Sequence, residues 1–186
     1  QDGGGMRIAI VCPGPSVTDT WDRSMAGQFD RVFAVSRAIN LVDHADIWAV
    51  GDFHLFAAMM HVDRQPPSGQ VIFSNAEGRT NAKYMGFRLI NCEPWFPCPT
   101  DARRFTTPAF LNFVLTMWPE AQVDMFGCDM DGSNYYDDKD MYVAPTDVDE
   151  RWEIERRQLW VVVNTTSAIV RLHRNKHMAS QGTICR

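Results

Sequence analysis

Five short segments of this chain are almost continuous runs of apolar residues, and each run ends at turn-forming residues. A strand with one face in water alternates apolar and polar residues, whereas a strand covered on both faces is apolar throughout. Continuous strands are typical of a parallel sheet that carries helices on each side. We therefore expect a three-layer α/β domain of Rossmann-like type, with a mainly parallel sheet and the first segment at its centre. The segments are Arg7–Cys12, Arg31–Val35, Asp46–Val50, Gln70–Ser74 and Gln122–Phe126.

Helical periodicity is clearest over Thr107–Trp118, where large apolar residues recur at steps of three and four. Thr107 is predicted to cap this helix and Pro108 to occupy its first position, because hydroxyl residues and proline favour those places. Arg88–Asn91 is predicted to add a sixth strand.

The last third of the chain begins with an acidic, aromatic segment, residues 131–149. Its few aliphatic residues give it little to pack with, so it is predicted to be a mobile lid. A charged helix is expected to begin near Asp149 or Glu150. The triple valine in Leu159–Val163 favours a strand there.

The composition is that of one ordinary globular domain, expected over residues 6–186 behind a short extension at 1–5. The 186 residues, 45% of them apolar, suffice for one full hydrophobic core. No apolar run approaches the ~20 residues that span a bilayer, and no signal-peptide pattern occurs, so a cytoplasmic location is expected. The net charge of −5 argues against nucleic-acid binding, which needs clustered Lys and Arg. The sequence leaves a homo-oligomer open.

The residues that follow the predicted strands are the first candidates for a site, because open parallel sheets bind ligands outside the carboxyl ends of their strands. After the first strand, Gly14 lets the backbone approach a ligand, and the helix that follows offers N–H groups to a phosphate. After the third strand, His54 is a candidate acid or base and Asp52 a candidate ribose ligand. The residues predicted to bind a nucleotide at these ends are Pro13, Gly14, Pro15, Ser16, Ser36, Arg37 and Asp52.

Two more clusters lie at predicted element ends. Arg104, Thr106 and Thr107 come together at the start of the clearest helix and form a second candidate anion site. Asp129 and Asp131 follow the last clear strand as an Asp-x-Asp pair, and their hard oxygen atoms would suit Mg²⁺ or Mn²⁺. We predict that Arg104 and the helix N-terminus neutralise a phosphate without a metal ion.

Several stretches match one family in order and spacing. The first strand and its turn read IAIVCPGPS, where the family has a strand ending in GNGPS, so Pro13 replaces an asparagine. Arg104–Pro108 and Phe126–Asp129 are similar to the family's Arg-Ile-Thr-Ser-Gly helix start and its later Gly-x-Asp, and Gly132–Tyr135 to its Gly-Ser-Ser-Tyr. Over residues 6–136 the chain thus resembles the bacterial CMP-sialic-acid-dependent sialyltransferases and, more widely, pterin-diphosphokinase-like proteins.

The resemblance implies a Rossmann-like, nucleotide-sugar-dependent glycosyltransferase with a CMP-type donor and no required cofactor. It implies that Arg104, Thr106 and Thr107 grip the donor. It also implies that Tyr135 or Tyr136 stabilises the departing phosphate, and catalysis would rest on positioning and charge stabilisation.

The general base is the point at which the chain departs from this family. The family's base is a histidine after the tyrosine, but no histidine occurs here between His61 and His173. His54, Asp147 or Asp149 could take its place. Two other functions stay open: a diphosphokinase-like phosphoryl transferase that holds Mg²⁺ or Mn²⁺ on the Asp-x-Asp pair, and a non-catalytic nucleotide-binding module.

Overall fold

The described residues form a parallel sheet of seven strands. A computed structural model describes residues 5–51, 67–75, 86–98, 100–101, 103–130 and 148–173. The strand order is β5-β4-β3-β2-β1-β6-β7, and every neighbouring pair is parallel. The strands are β1 (Arg7–Val11), β2 (Arg31–Val35), β3 (Ile47–Ala49), β4 (Val71–Ser74), β5 (Arg88–Asn91), β6 (Gln122–Phe126) and β7 (Ile169–His173).

Helical elements cover both faces of this sheet, which confirms the predicted α/β fold class. Two long helices, α2 (Thr106–Met117) and α3 (Val148–Asn164), contribute to the hydrophobic core on one face. The short helix α1 (Val17–Thr20) and 3-10 turns at Arg23–Gln28 and Ser36–Leu41 contribute to the core on the other. A third 3-10 turn spans Glu93–Trp95. Within the described ranges, no helix is long and apolar enough to cross a membrane.

Strand β1 lies in the interior of the sheet, as its apolar run predicts. Ile8 and Ile10 belong to the core that α2 and α3 complete, whereas Ala9 and Val11 belong to the opposite core. All four side chains have no exposed surface. The order of strands reverses between β1 and β6, so the crevice beyond their carboxyl ends is the place where such folds bind ligands.

Helix α2 begins at Thr106, two residues before Pro108, the predicted first helical residue. Phe105 occupies the N-cap position without a side-chain cap, so Thr107 is inside the first turn and Pro108 is the third helical residue. The reason is that the two threonine hydroxyls are used elsewhere. Thr106 Oγ1 accepts a hydrogen bond from Gly51 N at 3.0 Å, and the Thr107 hydroxyl acts on Glu155, whose carboxyl pKa it lowers.

The predicted strand at Leu159–Val163 is wrong, because this segment continues α3 to Asn164. Glu155, Gln158, Leu159 and Val162 are all buried, and their spacing of three, four and seven residues is that of one helix face. Packing of this face overrides the β propensity of the valines. The charged helix itself begins at Val148, close to its predicted start, so the last two residues of the predicted lid are helical.

Strand β7 was not predicted, and charged contacts tie it to the sheet. His173 Nε2 lies 2.7 Å from Oδ1 of the buried Asp124, and the imidazole stacks on Phe126 with ring centres 4.4 Å apart. Arg7 and Arg171 lie 3.8 and 3.7 Å from the other carboxylate oxygen. Buried Asp124 thereby contacts side chains from β1 and β7, the two strands that flank β6.

Candidate functional site

A cavity of about 360 Å³ opens at the carboxyl ends of the strands, beside the crevice between β1 and β6. Its wall combines the loops after β1, β2, β3, β4 and β6 with the turn after β5, the start of α2 and the first turns of α3. The lining residues are Cys12, Pro13, Gly14, Pro15, Val35, Ser36, Gly51, Asn75, Glu93, Phe96, Arg104, Phe105, Thr106, Thr107, Gly127, Cys128, Asp129, Met130, Arg151, Trp152 and Glu155.

The loops after β1 and β6 are joined to each other at the floor of this cavity. Gly14 N donates to Gly127 O at 2.9 Å, and Ser16 N donates to Asp129 Oδ2 at 2.8 Å. A Cβ at Gly14 would overlap the Gly127 carbonyl oxygen and lie 2.5 Å from Asp129 Oδ2, so this position requires glycine. The Asp129 carboxylate, 5% exposed, thus takes up one of the N–H groups that the sequence assigned to a phosphate.

Two arginines from different elements reach the cavity wall. Arg104 Nη1 lies 2.5 Å from Glu93 Oε2, and its guanidinium lies 5.3 Å from the centre of the Phe96 ring. The Arg151 guanidinium lies 4.8 Å from the Trp152 ring centre and 5.6 Å from that of Phe105. Cations that face aromatic rings are held in place without losing their charge. The site therefore holds two guanidinium groups, of which that of Arg104 already pairs with Glu93.

One buried acid, Glu155 of α3, faces the same cavity. Burial raises the pKa of its carboxyl from the ordinary 4.5 to about 7, although Arg151 and the Thr107 hydroxyl act in the opposite direction. A carboxyl with this pKa is partly ionised near neutral pH, which suits a group that exchanges protons.

Two residues on the cavity wall have positive φ angles that are uncommon outside glycine. Ser36, directly after β2, has φ +48°, and Met130, after β6, has φ +50°. Backbone conformations of this kind are strained for L-residues and cluster at functional sites. Their presence at two separate strand ends adds to the case for this cavity as the site.

Most of the described residues that the sequence assigned to a site meet here. Ser16 and Arg37 are buried and do not line the cavity. Asp52, His54, Asp131, Tyr135 and Tyr136, and the predicted lid from 131 to 147, lie outside the described residues. Among the residues that are described, no group of three or more His, Cys, Asp or Glu side chains is placed to hold a metal ion. The predicted site residues on the cavity wall are Pro13, Gly14, Pro15, Ser36, Arg104, Thr106 and Thr107.

Sequence reasoning missed the wall that α3 contributes, namely Arg151, Trp152 and Glu155. The sequence carries a signal for the burial of Glu155, although not for its place at the cavity. Glu155 falls on the same helix face as the apolar residues Leu159 and Val162, and an acid within an apolar stripe predicts a buried carboxyl.

Comparison with known proteins supports the fold and gives no family. No protein-family model matches the sequence, and no curated protein matches it. Among solved structures, a mammalian sialyltransferase in complex with Gal-beta-1-3GalNAc-ortho-nitrophenol matches with a TM-score of 0.57 and 9% identity. A second mammalian sialyltransferase structure matches with a TM-score of 0.55 and 8% identity, and each match covers 92% of this chain and 70% of the other.

The sialyltransferase-like fold is therefore confirmed, with mammalian enzymes as the structural neighbours. The narrower resemblance to the bacterial family is not supported by these matches and stays a prediction.

Proposed function

We propose that this chain is a nucleotide-sugar-dependent glycosyltransferase that binds a CMP-type donor in the cavity at the carboxyl ends of β1 and β6. The observation that carries the proposal is the position of Arg104 and Arg151 on the wall of a cavity at the strand-order reversal of a sialyltransferase-like fold. Such a crevice is the usual ligand site of open α/β sheets, and two guanidinium groups suit a phosphate.

The donor phosphate is proposed to lie between the Pro13–Ser16 turn and the start of α2, without a metal ion. The N-terminal end of α2 brings partial positive charge to the cavity, and the Arg104 guanidinium, which a phosphate would share with Glu93, lies beside it. Asp129 is already a hydrogen-bond acceptor for Ser16 N, which favours a structural role for this carboxylate over metal binding.

Aromatic side chains offer surfaces for the uncharged parts of a donor. Phe96, Phe105 and Trp152 lie on the wall beside the two arginines. Flat apolar surfaces next to a few charged groups are typical of pockets that bind ring-containing ligands. We propose that the base or the sugar ring packs against one of these rings. The proposed role of Tyr135 or Tyr136 at the leaving phosphate comes from the sequence resemblance.

A thermal-shift panel of CMP, UDP, GDP, ATP and CMP-sialic acid, each with Mn²⁺ or with EDTA, tests this function. We expect the cytidine ligands to raise the Tm, since a ligand at a hundred times its Kd adds ~2.7 kcal/mol of stability. The rise should be equal with Mn²⁺ and with EDTA, because the proposed site holds the phosphate without a metal ion. Arg104→Ala should weaken CMP binding by about 10-fold or more, as expected for a lost charge-assisted hydrogen bond.

Arg23→Ala is the matched control. Arg23 is an exposed arginine on the opposite face of the sheet, where it pairs with Asp43 at 3.0 Å, and its loss should leave CMP binding unchanged. If EDTA abolishes nucleotide binding and Arg104→Ala leaves it intact, the proposal is wrong and a metal-dependent transferase takes its place. A panel with no stabilising nucleotide would reject a nucleotide site altogether, and donor binding without any release of CMP would favour a non-catalytic module.

A further inference from the structure

Glu155 lies in a buried position, where an ionised carboxylate costs free energy. It lies on the face of α3 that packs into the core with Leu159 and Val162, and 6% of its surface is exposed. Acids are rarely buried to this degree, because an ionised carboxylate loses its hydration there. Glu155 nevertheless lines the cavity, where the Thr107 hydroxyl at the start of α2 acts to lower the pKa of its carboxyl.

The ionisable groups around this carboxyl come from three elements. Arg151, one helical turn earlier on α3, stabilises the charged form, while burial favours the neutral form more strongly and raises the pKa to about 7. Cys12 at the end of β1 and Asp129 after β6 line the same cavity. The hydrogen bond with Cys128 and burial raise the pKa of the Cys12 thiol most, and Glu155 and Asp129 raise it further. The thiol therefore stays neutral while the carboxyl can gain or lose a proton near neutral pH.

The other carboxylates on the described cavity wall are already engaged. Asp129 accepts the Ser16 N–H at 2.8 Å and joins two loops. Glu93 pairs with Arg104 at 2.5 Å, and its side chain is 41% exposed. Glu155 is thus the carboxyl best suited to accept a proton here.

We propose that Glu155 is the general base of the transfer reaction, an assignment that rests on the proposed glycosyltransferase function. The acceptor hydroxyl oxygen forms a bond to the anomeric carbon of the donor, and the bond from that carbon to the nucleotide phosphate breaks. The electron pair of the broken bond leaves with the nucleotide. The Glu155 carboxylate takes the hydroxyl proton and returns it to solvent after the product departs, so the enzyme is restored without a cofactor.

The test compares Glu155→Gln with Glu153→Gln, an exposed acid two residues earlier on the same helix. Release of CMP from CMP-sialic acid is measured between pH 5 and 9 with water as the acceptor, and CMP binding is measured by thermal shift. Wild-type turnover should rise with pH through a midpoint near 7. Glu155→Gln should lower kcat by about 100-fold or more, lose this pH dependence and keep its affinity for CMP, whereas Glu153→Gln should behave as wild type.

Glu155→Gln turnover at the wild-type rate with an unchanged pH profile would overturn the assignment and leave the proposed function intact. A wild-type protein that neither binds CMP nor releases it from the donor would instead overturn the proposed function and, with it, the base. If Glu155→Gln does not fold, Thr107→Val provides the test. Loss of the hydroxyl donor favours the protonated carboxyl, so the midpoint should move to higher pH, and an unmoved midpoint would refute the role of Glu155.

Discussion

Replacing Glu155 by glutamine should make the protein more stable above neutral pH. Because burial raises the pKa from 4.5 to about 7, the folded protein keeps this proton over a pH range in which the unfolded chain has lost it. The contribution of Glu155 to the free energy of unfolding therefore falls as pH rises from 4.5 to 7 and is level above 7. At ~1.36 kcal/mol per pH unit, the ionised carboxyl costs about 3 kcal/mol at pH 8. Glutamine has the same shape and no charge, so Glu155→Gln avoids this cost.

Urea unfolding at pH 5 and pH 8 measures the effect. The variant and the wild type should differ by less than about 1 kcal/mol at pH 5, whereas at pH 8 the variant should be more stable by up to about 3 kcal/mol. For a chain of this length that gain corresponds to roughly 6–12 °C in Tm. Glu153→Gln, the exposed control, should show no pH-dependent difference. An equal difference for Glu155→Gln at both pH values would refute a raised pKa at Glu155.

Two further predictions concern packing at the cavity floor. Gly14→Ala should lower the free energy of unfolding by about 1–3 kcal/mol and so lower the urea midpoint, because its Cβ would lie 2.5 Å from a buried carboxylate oxygen. Gly27→Ala should change the midpoint little, since nothing lies within 4 Å of its Cβ, and equal midpoints for the two variants would contradict the tight loop contact. To remove the half-buried Cys98 and also Cys185, which lies outside the described residues, both are replaced by serine. In this variant iodoacetamide should label Cys12 slowly in the folded protein and rapidly in urea. The hydrogen bond to a neighbouring buried thiol and burial itself both raise the Cys12 pKa, and rapid labelling of Cys12 in the folded protein would show that it is accessible as a thiolate.

The sequence predicts the sheet well because burial on both faces leaves a local signal. Each apolar run forms a parallel strand. In α3, by contrast, intrinsic strand propensity gives the wrong prediction. The valines of Leu159–Val163 favour a strand by intrinsic propensity, yet the buried positions at Glu155, Gln158 and Val162 follow a helical period. Ile169–His173 was missed because its exposed and half-buried residues give neither a continuous run nor a clean alternation.

The sequence predicts only the part of the candidate site that lies directly after the strands. Gly14 and Ser36 lie directly beyond strand ends, and a parallel sheet brings such positions to one edge. The position of α3 across that edge depends on long-range packing, so Trp152 and Glu155 could not be placed there from local pattern. Thr107 shows the same limit, since its partner is a carboxyl 48 residues along the chain rather than its own helix.

The ion pair between Glu93 and Arg104 has a consequence for ligand selection. Any anion that approaches Arg104 competes with a tethered carboxylate whose effective concentration beside the guanidinium is far above that of small ions in solution. Chloride, sulfate or free phosphate gains little by displacing it. A ligand that also contacts the aromatic rings and Arg151 gains enough elsewhere to offset the lost pair. The Glu93 carboxylate thus favours the binding of large anions that make several contacts over the binding of simple anions.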